Sequence, residues 1–600
     1  MEKFQVQQRH DASTSQSRRQ WLVVIALSVA VLLKYLGPSI TKTADLPHAY
    51  ALCSPSTGIY TVDSNNSKTE CVIVVGDTVF ATGSEGHVRS IWDAGNPSED
   101  LKTFYTTPGS IVVPGLSDAH AHVLEWGFKQ QLPLEDCRSV DVGKDVIAKI
   151  KQYILTHPDV QNDSSRWIQG MGWDQTKWPI ARFPTADDFD RDPLLRDRPI
   201  ALSRIDVHAS WVSHRVIEQM GKLPEEVYGG IIVRDDQGNP TEPSSVKWTE
   251  EEMLGYFETA MHDALSVGLT SIHDAASSPE VIQFFKRRAD ERTLPVRLYL
   301  MGNAQSDTYW GAQIPRLVNY GIDGRLNVRS IKLFTDVSCS TTATPGALGS
   351  WGAALLAPYS DNPDTNGLMR SSQDVLRDLV ENFFRDGWQV NIHCIGDRAN
   401  KVALDILQDV MKKFTVDVEK WRPRIEHAQI MQLSDLERIG SLGVIPSVQP
   451  THATSDMWYA ESRLGPDRIK GAYAYQTLLQ TSRRHILPLG SDFPVEGINP
   501  LLGFYAAVSR LSVNGDSPNG TSGWYPAEAL TRTQALRGMT CDAAYAAFAE
   551  TERGMLIPGM KADYVVLNRD IVSEEVPVGD ILNTKVLATA VDGRVVYGSI

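Results

Sequence analysis

Short apolar runs alternate with stretches of helical apolar spacing through most of the chain. The runs are Ile111–Val113, Pro199–Leu202, Leu269–Ile272, Pro295–Leu300, Arg329–Phe334, Trp388–Ile392, Arg424–Ile425, Ile445–Val448 and Ile486–Leu489, with helical stretches such as 371–385 and 399–413 between them. Alternating strand and helix imply a parallel sheet. With this many units, the natural closure is a (β/α)8 barrel of the TIM type. The ends of the chain read differently. Cys71–Val75 and Thr78–Phe80 flank the turn Gly76-Asp77, and Ala562–Leu567, Val586–Val591 and Arg594–Tyr597 follow near the C-terminus, with Asp592-Gly593 as a hairpin turn. Strand-rich ends around a long middle predict a small β-sandwich built from both termini. The expected boundaries are 49–113 and 553–600 for the sandwich and 114–552 for the barrel, with an insertion near 130–250 over its mouth.

The N-terminus adds a third element. Residues 1–20 are polar and include Arg18-Arg19, and an apolar run of 13 residues, Trp21–Leu33, follows. A membrane span needs about 20 apolar residues. Counting to Leu36, with Lys34 snorkelling, brings the run close to that length. The expectation is an apolar signal-anchor helix with membrane contact through residues 21–36, and residues 1–48 as cytoplasmic tail, transmembrane segment and linker. The catalytic part would then be lumenal or extracellular, or secreted after cleavage. Asn65-Asn-Ser, Asn162-Asp-Ser and Asn519-Gly-Thr match the glycosylation acceptor pattern of a glycoprotein.

Composition narrows the function classes. A hydrophobic fraction of 42% and a charged fraction of 22% are ordinary for a folded chain and exclude global disorder. The 58 basic against 73 acidic residues give a net charge of −15, which argues against nucleic acid as a partner. None of the six cysteines forms a CxxC pair, so a zinc ribbon is excluded. Cys53 and Cys71 are candidates for a bridge, although spacing alone fixes no connectivity. A homodimer is left open.

Polar residues fall where the runs end. His273-Asp274 follows one run, Lys332 lies within another, His393 and His427 follow two more, and Asp492 follows the last. In a barrel, C-terminal strand ends meet at one mouth, where such enzymes hold their sites. His120 and His122, in Pro114-Gly-Leu-Ser-Asp-Ala-His-Ala-His122, are two apart, and in extended chain both imidazoles can face one ion. A lone His-x-His is weak evidence. Four imidazoles and a carboxylate at successive strand ends make a credible ligand set for zinc or a similar cation.

These motifs resemble the amidohydrolase superfamily, in particular amidohydrolase family 3, the group of YtcJ-like proteins and N-substituted formamide deformylase. The resemblance runs from about Cys71 to Tyr597. It is carried by the His120–His122 segment, Gly170-Met-Gly-Trp-Asp-Gln175, Ile331-Lys-Leu-Phe-Thr-Asp336, Ile392-His-Cys-Ile-Gly-Asp-Arg-Ala399, Arg424-Ile-Glu-His-Ala-Gln429, Ser447-Val-Gln-Pro-Thr-His452, Gly490-Ser-Asp-Phe-Pro494 and Gly559-Met-Lys-Ala-Asp563. It implies one or two divalent ions, zinc foremost. His120 and His122 would bind the first, with Asp492 as ligand and base. His393 and His427 would bind the second, and a carboxylated Lys332 would bridge the two. The alternative for Lys332 is a salt bridge to Asp336 or a neighbouring carboxylate. Trp173, His208, Gln449, His452, Asp456 and Arg510 are candidates for contact with a small amide-like substrate. His214 and Glu242 depart from the family pattern. The implied reaction is hydrolysis of a non-peptide C–N bond in an amide, formamide or cyclic amide. An ester or C–O hydrolase, or a non-catalytic surface binding protein, are the rivals.

Overall fold

The computed structural model describes residues 46–96, 100–140, 145–180, 182–205, 210–220, 248–304, 306–336 and 346–600. Its largest sheet runs through seven strands in the order Leu116–Ala121, Leu269–Ser277, Arg297–Gly302, Leu326–Phe334, Gln389–Cys394, Arg424–His427 and Ile445–Ser447, each parallel to its neighbours. Residues 487–493 close the ring. On one side Gly490 N donates to Val448 O at 3.0 Å. On the other, Ala119 N donates to Leu489 O (3.1 Å), Asp492 N to His120 O (2.7 Å) and His122 N to Phe493 O (2.8 Å). Gly490 is required at this seam, because a Cβ there would lie 2.6 Å from His120 N.

Helices cover the outside of this barrel-like sheet. Pro279–Asp290 starts where Ser278 accepts from Val281 N, with Pro279 in the first turn, and it buries Ile282, Phe284, Phe285 and Ala289. Asp397–Phe414 buries Ala403, Leu404, Leu407 and Val410 at helical spacing, and its last turn carries Lys412 and Lys413 beside the negative dipole end.

Both ends of the chain share one pair of stacked sheets. Ile111–Pro114 pairs with Tyr564–Leu567, which pairs with Val586–Val591. The second sheet holds Ala49–Cys53 between Cys71–Val75 and Lys102–Tyr105. Tyr50, Leu52, Val72 and Val74 of one sheet pack on Val112, Tyr564, Val566 and Ala588 of the other. A disulfide joins Cys53 to Cys71, which are paired across the ladder and 18 residues apart in sequence. A bridge that closes a loop of that length stabilises the fold by about 3 kcal/mol, mainly by restricting the unfolded chain.

Two of the apolar runs form no barrel strand. Ile111–Pro114 belongs to the sandwich, and Ile200–Arg204 belongs to a separate sheet with Ile168–Trp173 and Ser210–Val212. That sheet has its own core, including Leu134, Ile150, Trp173, Trp178, Phe189 and Trp211. The first barrel strand is the His120 segment itself. Its inward positions, Asp118 and His120, are polar, so a search for apolar runs passes over it.

The membrane expectation is corrected. Among the described residues, no helix is long and apolar enough to cross a membrane. The run at 21–36 lies outside those residues. The anchor helix, the membrane partnership, the single-pass topology and the placement derived from them are therefore withdrawn.

Candidate active site

Side chains two apart on a strand share a face, so each barrel strand sends alternate residues inward. The first contributes Asp118 and His120, the fourth Lys332, the fifth Asn391 and His393, the sixth Arg424 and Glu426, and the seventh Ser447. Where the strands end, His122, His427, Gln449, His452 and Asp492 follow. His427 and Asp492 both have positive φ, 70° and 61°. Such conformations cost of order 1–3 kcal/mol and persist where the surroundings over-determine them.

Ligand atoms of His120, His427 and Asp492 all lie within 4.8 Å of one another, and all three residues are buried. The Asp492 carboxylate sits among imidazoles, with Oδ1 3.2 Å from His122 Nε2 and 3.5 Å from His120 Nε2, and Oδ2 3.7 Å from His452 Nε2. The His393 and His427 rings are 4.3 Å apart, and His452 stacks on His427 at 5.7 Å. Lys332 Nζ is 3.1 Å from His120 Nε2.

Electrostatics suit a cation. Burial, then the charge of Lys332, holds His120 well below its ordinary pKa. Burial and the neighbouring His393 and His120 do the same for His427. A cation requires neutral imidazoles. Burial works against the charge on Asp492, but the hydrogen bond from His122 and the charges of His120 and His122 hold its carboxyl below the usual range. His427 Nδ1 and His452 Nε2 are buried and have no hydrogen-bond partner among the described residues. Buried polar atoms of this kind call for a ligand. The donor set therefore fits a divalent metal ion.

Residues beneath the cluster hold it in place. Glu426 Oε2 lies 2.6 Å from His120 Nδ1, a carboxylate behind a ligating imidazole. Arg424 Nε pairs with Glu426 Oε1 at 2.8 Å, and Arg424 Nη2 donates to Ala119 O (2.8 Å) and Ser447 Oγ (3.0 Å). Asp118 accepts from Ser491 Oγ (2.6 Å) and His120 N (3.0 Å), tying the closing segment 487–493 to the first strand. Asp336 accepts from Gly396 N (2.7 Å), Ala354 N (3.1 Å) and Ile395 N (3.2 Å), with His393 Nε2 at 3.6 Å. Burial pushes the Asp336 carboxyl up to about 7. Glu426, Arg424 and Asp336 lie in recognisable motifs, but the motifs alone assign them no part in holding the ligands. The available signal was strand alternation in Arg424-Ile-Glu-His, which sets two charges on the inward face.

The remaining expected residues are spread more widely. Gln449, His452 and Asp456 lie at the end of the seventh strand and in the helix Pro450–Asp456. Neither amide atom of buried Gln449 has a hydrogen-bond partner among the described residues. Asp456 accepts from Tyr473 Oη (2.5 Å) and Gln429 Nε2 (3.0 Å). Trp173 packs in the insertion's core with its indole N–H on Leu202 O (2.8 Å). Arg510 donates to Trp524 O (2.9 Å) and Tyr473 O (3.1 Å). His208 and Glu242 lie outside the described residues. His214 is on the insertion's surface, with Nδ1 2.8 Å from Asp190.

A barrel-like parallel sheet with imidazoles and a carboxylate gathered at its strand ends defines a metal-dependent hydrolase. Comparison with known proteins names the family. The model of the amidohydrolase family matches residues 108–597, and the chain belongs to that family. It is 29% identical over 567 residues to a putative amidohydrolase, YtcJ, of Bacillus subtilis, covering 90% of this chain and 98% of that protein. It is 25% identical to an N-substituted formamide deformylase of Arthrobacter pascens, covering 90% of this chain and 97% of that one. Among solved structures, a metal-dependent hydrolase from Pyrococcus furiosus is similar at a TM-score of 0.65 and 25% identity, over 88% of this chain and 100% of that one. The protein is accordingly a metal-dependent amidohydrolase acting on a C–N bond other than a peptide bond.

Proposed function

We propose that the enzyme hydrolyses a small N-substituted formamide or carboxamide at the barrel mouth. The observation that carries this reading is Gln449, whose buried carboxamide leaves both its donor and its acceptor free among the described residues. Ser447 points into the barrel towards Arg424. Gln449, two residues on, shares that face. A substrate amide, which has one C=O and one N–H, complements this side chain in both directions. The similarity to a formamide deformylase supports the same substrate class.

His120, His122, His393, His427 and Asp492 would hold zinc, as one ion or as two bridged by a carboxylated Lys332. A divalent ion there supplies charge that polarises a carbonyl and acidifies water. The chain's own residues do the rest. Asp492 accepts the proton of the attacking water and delivers it to the leaving nitrogen. Gln449 and His452 orient the substrate beside it. Glu426 keeps the His120 proton on Nδ1, so that Nε2 remains a lone-pair donor. The wall of the pocket is kept rigid by Arg510 and Asp456, and the insertion's core is anchored by Trp173.

The test is a panel of N-formyl, N-acyl and ester compounds of matched size, assayed with and without chelator. The expected result is preferential turnover of formyl or acyl amides, lost on chelation and restored by zinc. Faster turnover of every ester than of its matched amide would overturn the C–N assignment to this pocket. For Lys332, protein prepared in 13C-labelled bicarbonate should show a carbamate carbon resonance that Lys332→Arg lacks. A wild-type spectrum without that resonance would leave Lys332 as a plain ammonium beside His120.

A further inference from the structure

A cavity lies at the opposite end of the barrel from the histidines. It is a partly open pocket of about 280 Å³, lined by Phe384, Phe414, Trp421 and Phe548, together with Arg316 and Arg329. Arg329 is on the same strand as Lys332, three residues earlier. At the rise of a strand, that places it about 10 Å below the metal cluster's lysine.

The two arginines are set against each other. Leu317–Tyr320 runs antiparallel to Leu326–Phe334, with Leu317 opposite Val328. Arg316, the residue just before this strand, lines the same cavity as Arg329, and its charge acts on Arg329. Like charges held close together repel. Among the described residues, neither guanidinium forms an ion pair. The acids nearby are already engaged. Asp417, which also lines the cavity, is 3.3 Å from Lys420 and caps the helix Val418–Trp421, while Glu550 is held by Arg422 at 2.6 Å. Arg329 lies over the Phe548 ring at 3.6 Å, which offsets only part of the cost of its burial. Burial and the charges of Arg316 and Arg422 hold its guanidinium below the ordinary value.

We propose that this cavity binds a small monocarboxylate with an apolar, aromatic-sized body. The carboxylate sits between Arg316 and Arg329, and the body lies against Phe384, Phe414 and Trp421. An oxyanion is what two neighbouring guanidinium forks recognise, through charge-assisted, paired hydrogen bonds. The aromatic wall gives a bare inorganic anion nothing to cover it. The volume is slightly below the range of about 300–1,000 Å³ usual for drug-sized ligands, which sets the ligand's size. This site is independent of the reaction at the barrel mouth.

Calorimetric titration of the full-length protein with benzoate, benzyl alcohol and inorganic phosphate tests the proposal, repeated with Arg316→Gln and Arg329→Gln. Benzoate should bind the wild type, and benzyl alcohol should bind about tenfold more weakly or worse, as loss of a charged hydrogen bond requires. Each variant should weaken benzoate by a similar factor while turnover at the barrel mouth stays at the wild-type level. Arg316 is exposed, so its replacement is readable even if Arg329→Gln fails to fold. Benzoate binding that is absent, or unchanged in Arg316→Gln, overturns the site. Phosphate binding as tightly as benzoate overturns the ligand class.

Discussion

Asp492→Asn should lower kcat/KM by about 10²–10⁴-fold, the usual contribution of a positioned general base, while bound metal stays near the wild-type level. The geometry separates these two effects. Asp492 Oδ1 faces His120 and His122, and Oδ2 faces His452. An asparagine keeps one oxygen in the Oδ1 position and the same shape, so the cluster with His120 and His427 can still close on a cation. What it loses is an oxygen that can take up a proton and release it to a leaving nitrogen. The main chain around it is fixed independently, since Asp492 N donates to His120 O at 2.7 Å. Turnover of the substrate panel and elemental analysis of the purified variant, read together, check the prediction. Wild-type turnover removes Asp492 from the proton path. Metal and turnover lost in equal measure would make holding the ion its only role and remove it from the proton path.

The inward polar residues explain both what the sequence made legible and what it hid. His120, His122, His393, His427 and Asp492 were visible because each belongs to a short motif after a strand-like run, and parallel topology brings such ends together. The order of the ring was less visible. Leu116–Ala121 carries Asp118 and His120 inward and so does not read as an apolar run, whereas the segment that closes the ring does begin with one, Ile486–Leu489. Pro199–Leu202 has the apolar signature of a barrel strand, yet it packs into the insertion, because the same pattern serves any buried strand. For Glu426 and Arg424, strand alternation marks two inward charges but does not say what they hold. Their meaning comes from His120, 306 residues away from Glu426 in the chain. The apolar run at 21–36 had the composition of an anchor, and composition alone supported more than the described structure contains.

Glu426→Gln should cost about 3–5 kcal/mol of stability, because it leaves a buried charge without its partner, and should weaken metal affinity by about 10–100-fold. Glu426 and Arg424 are both fully buried. The carboxylate serves two neighbours at once, taking the Arg424 Nε contact on Oε1 and the His120 Nδ1 contact on Oε2. A glutamine keeps a single acceptor and adds an N–H donor that must face either the guanidinium or the imidazole. Arg424 cannot release its charge, since a guanidinium stays protonated in proteins. Its other contacts, to Ala119 O, Ser447 Oγ and His273 Nδ1 (3.2 Å), neutralise none of that charge. Adding Arg424→Met separates the two losses. The double variant should regain much of the stability, because no unpaired buried charge remains, yet its metal affinity should stay low, because His120 has still lost the carboxylate that fixes its tautomer. Denaturant unfolding measures the first effect and competitive metal titration the second. A single variant with unchanged metal affinity would mean that Glu426 serves Arg424 alone, and restored affinity in the double variant would mean that the imidazole responds only to the charge of the guanidinium.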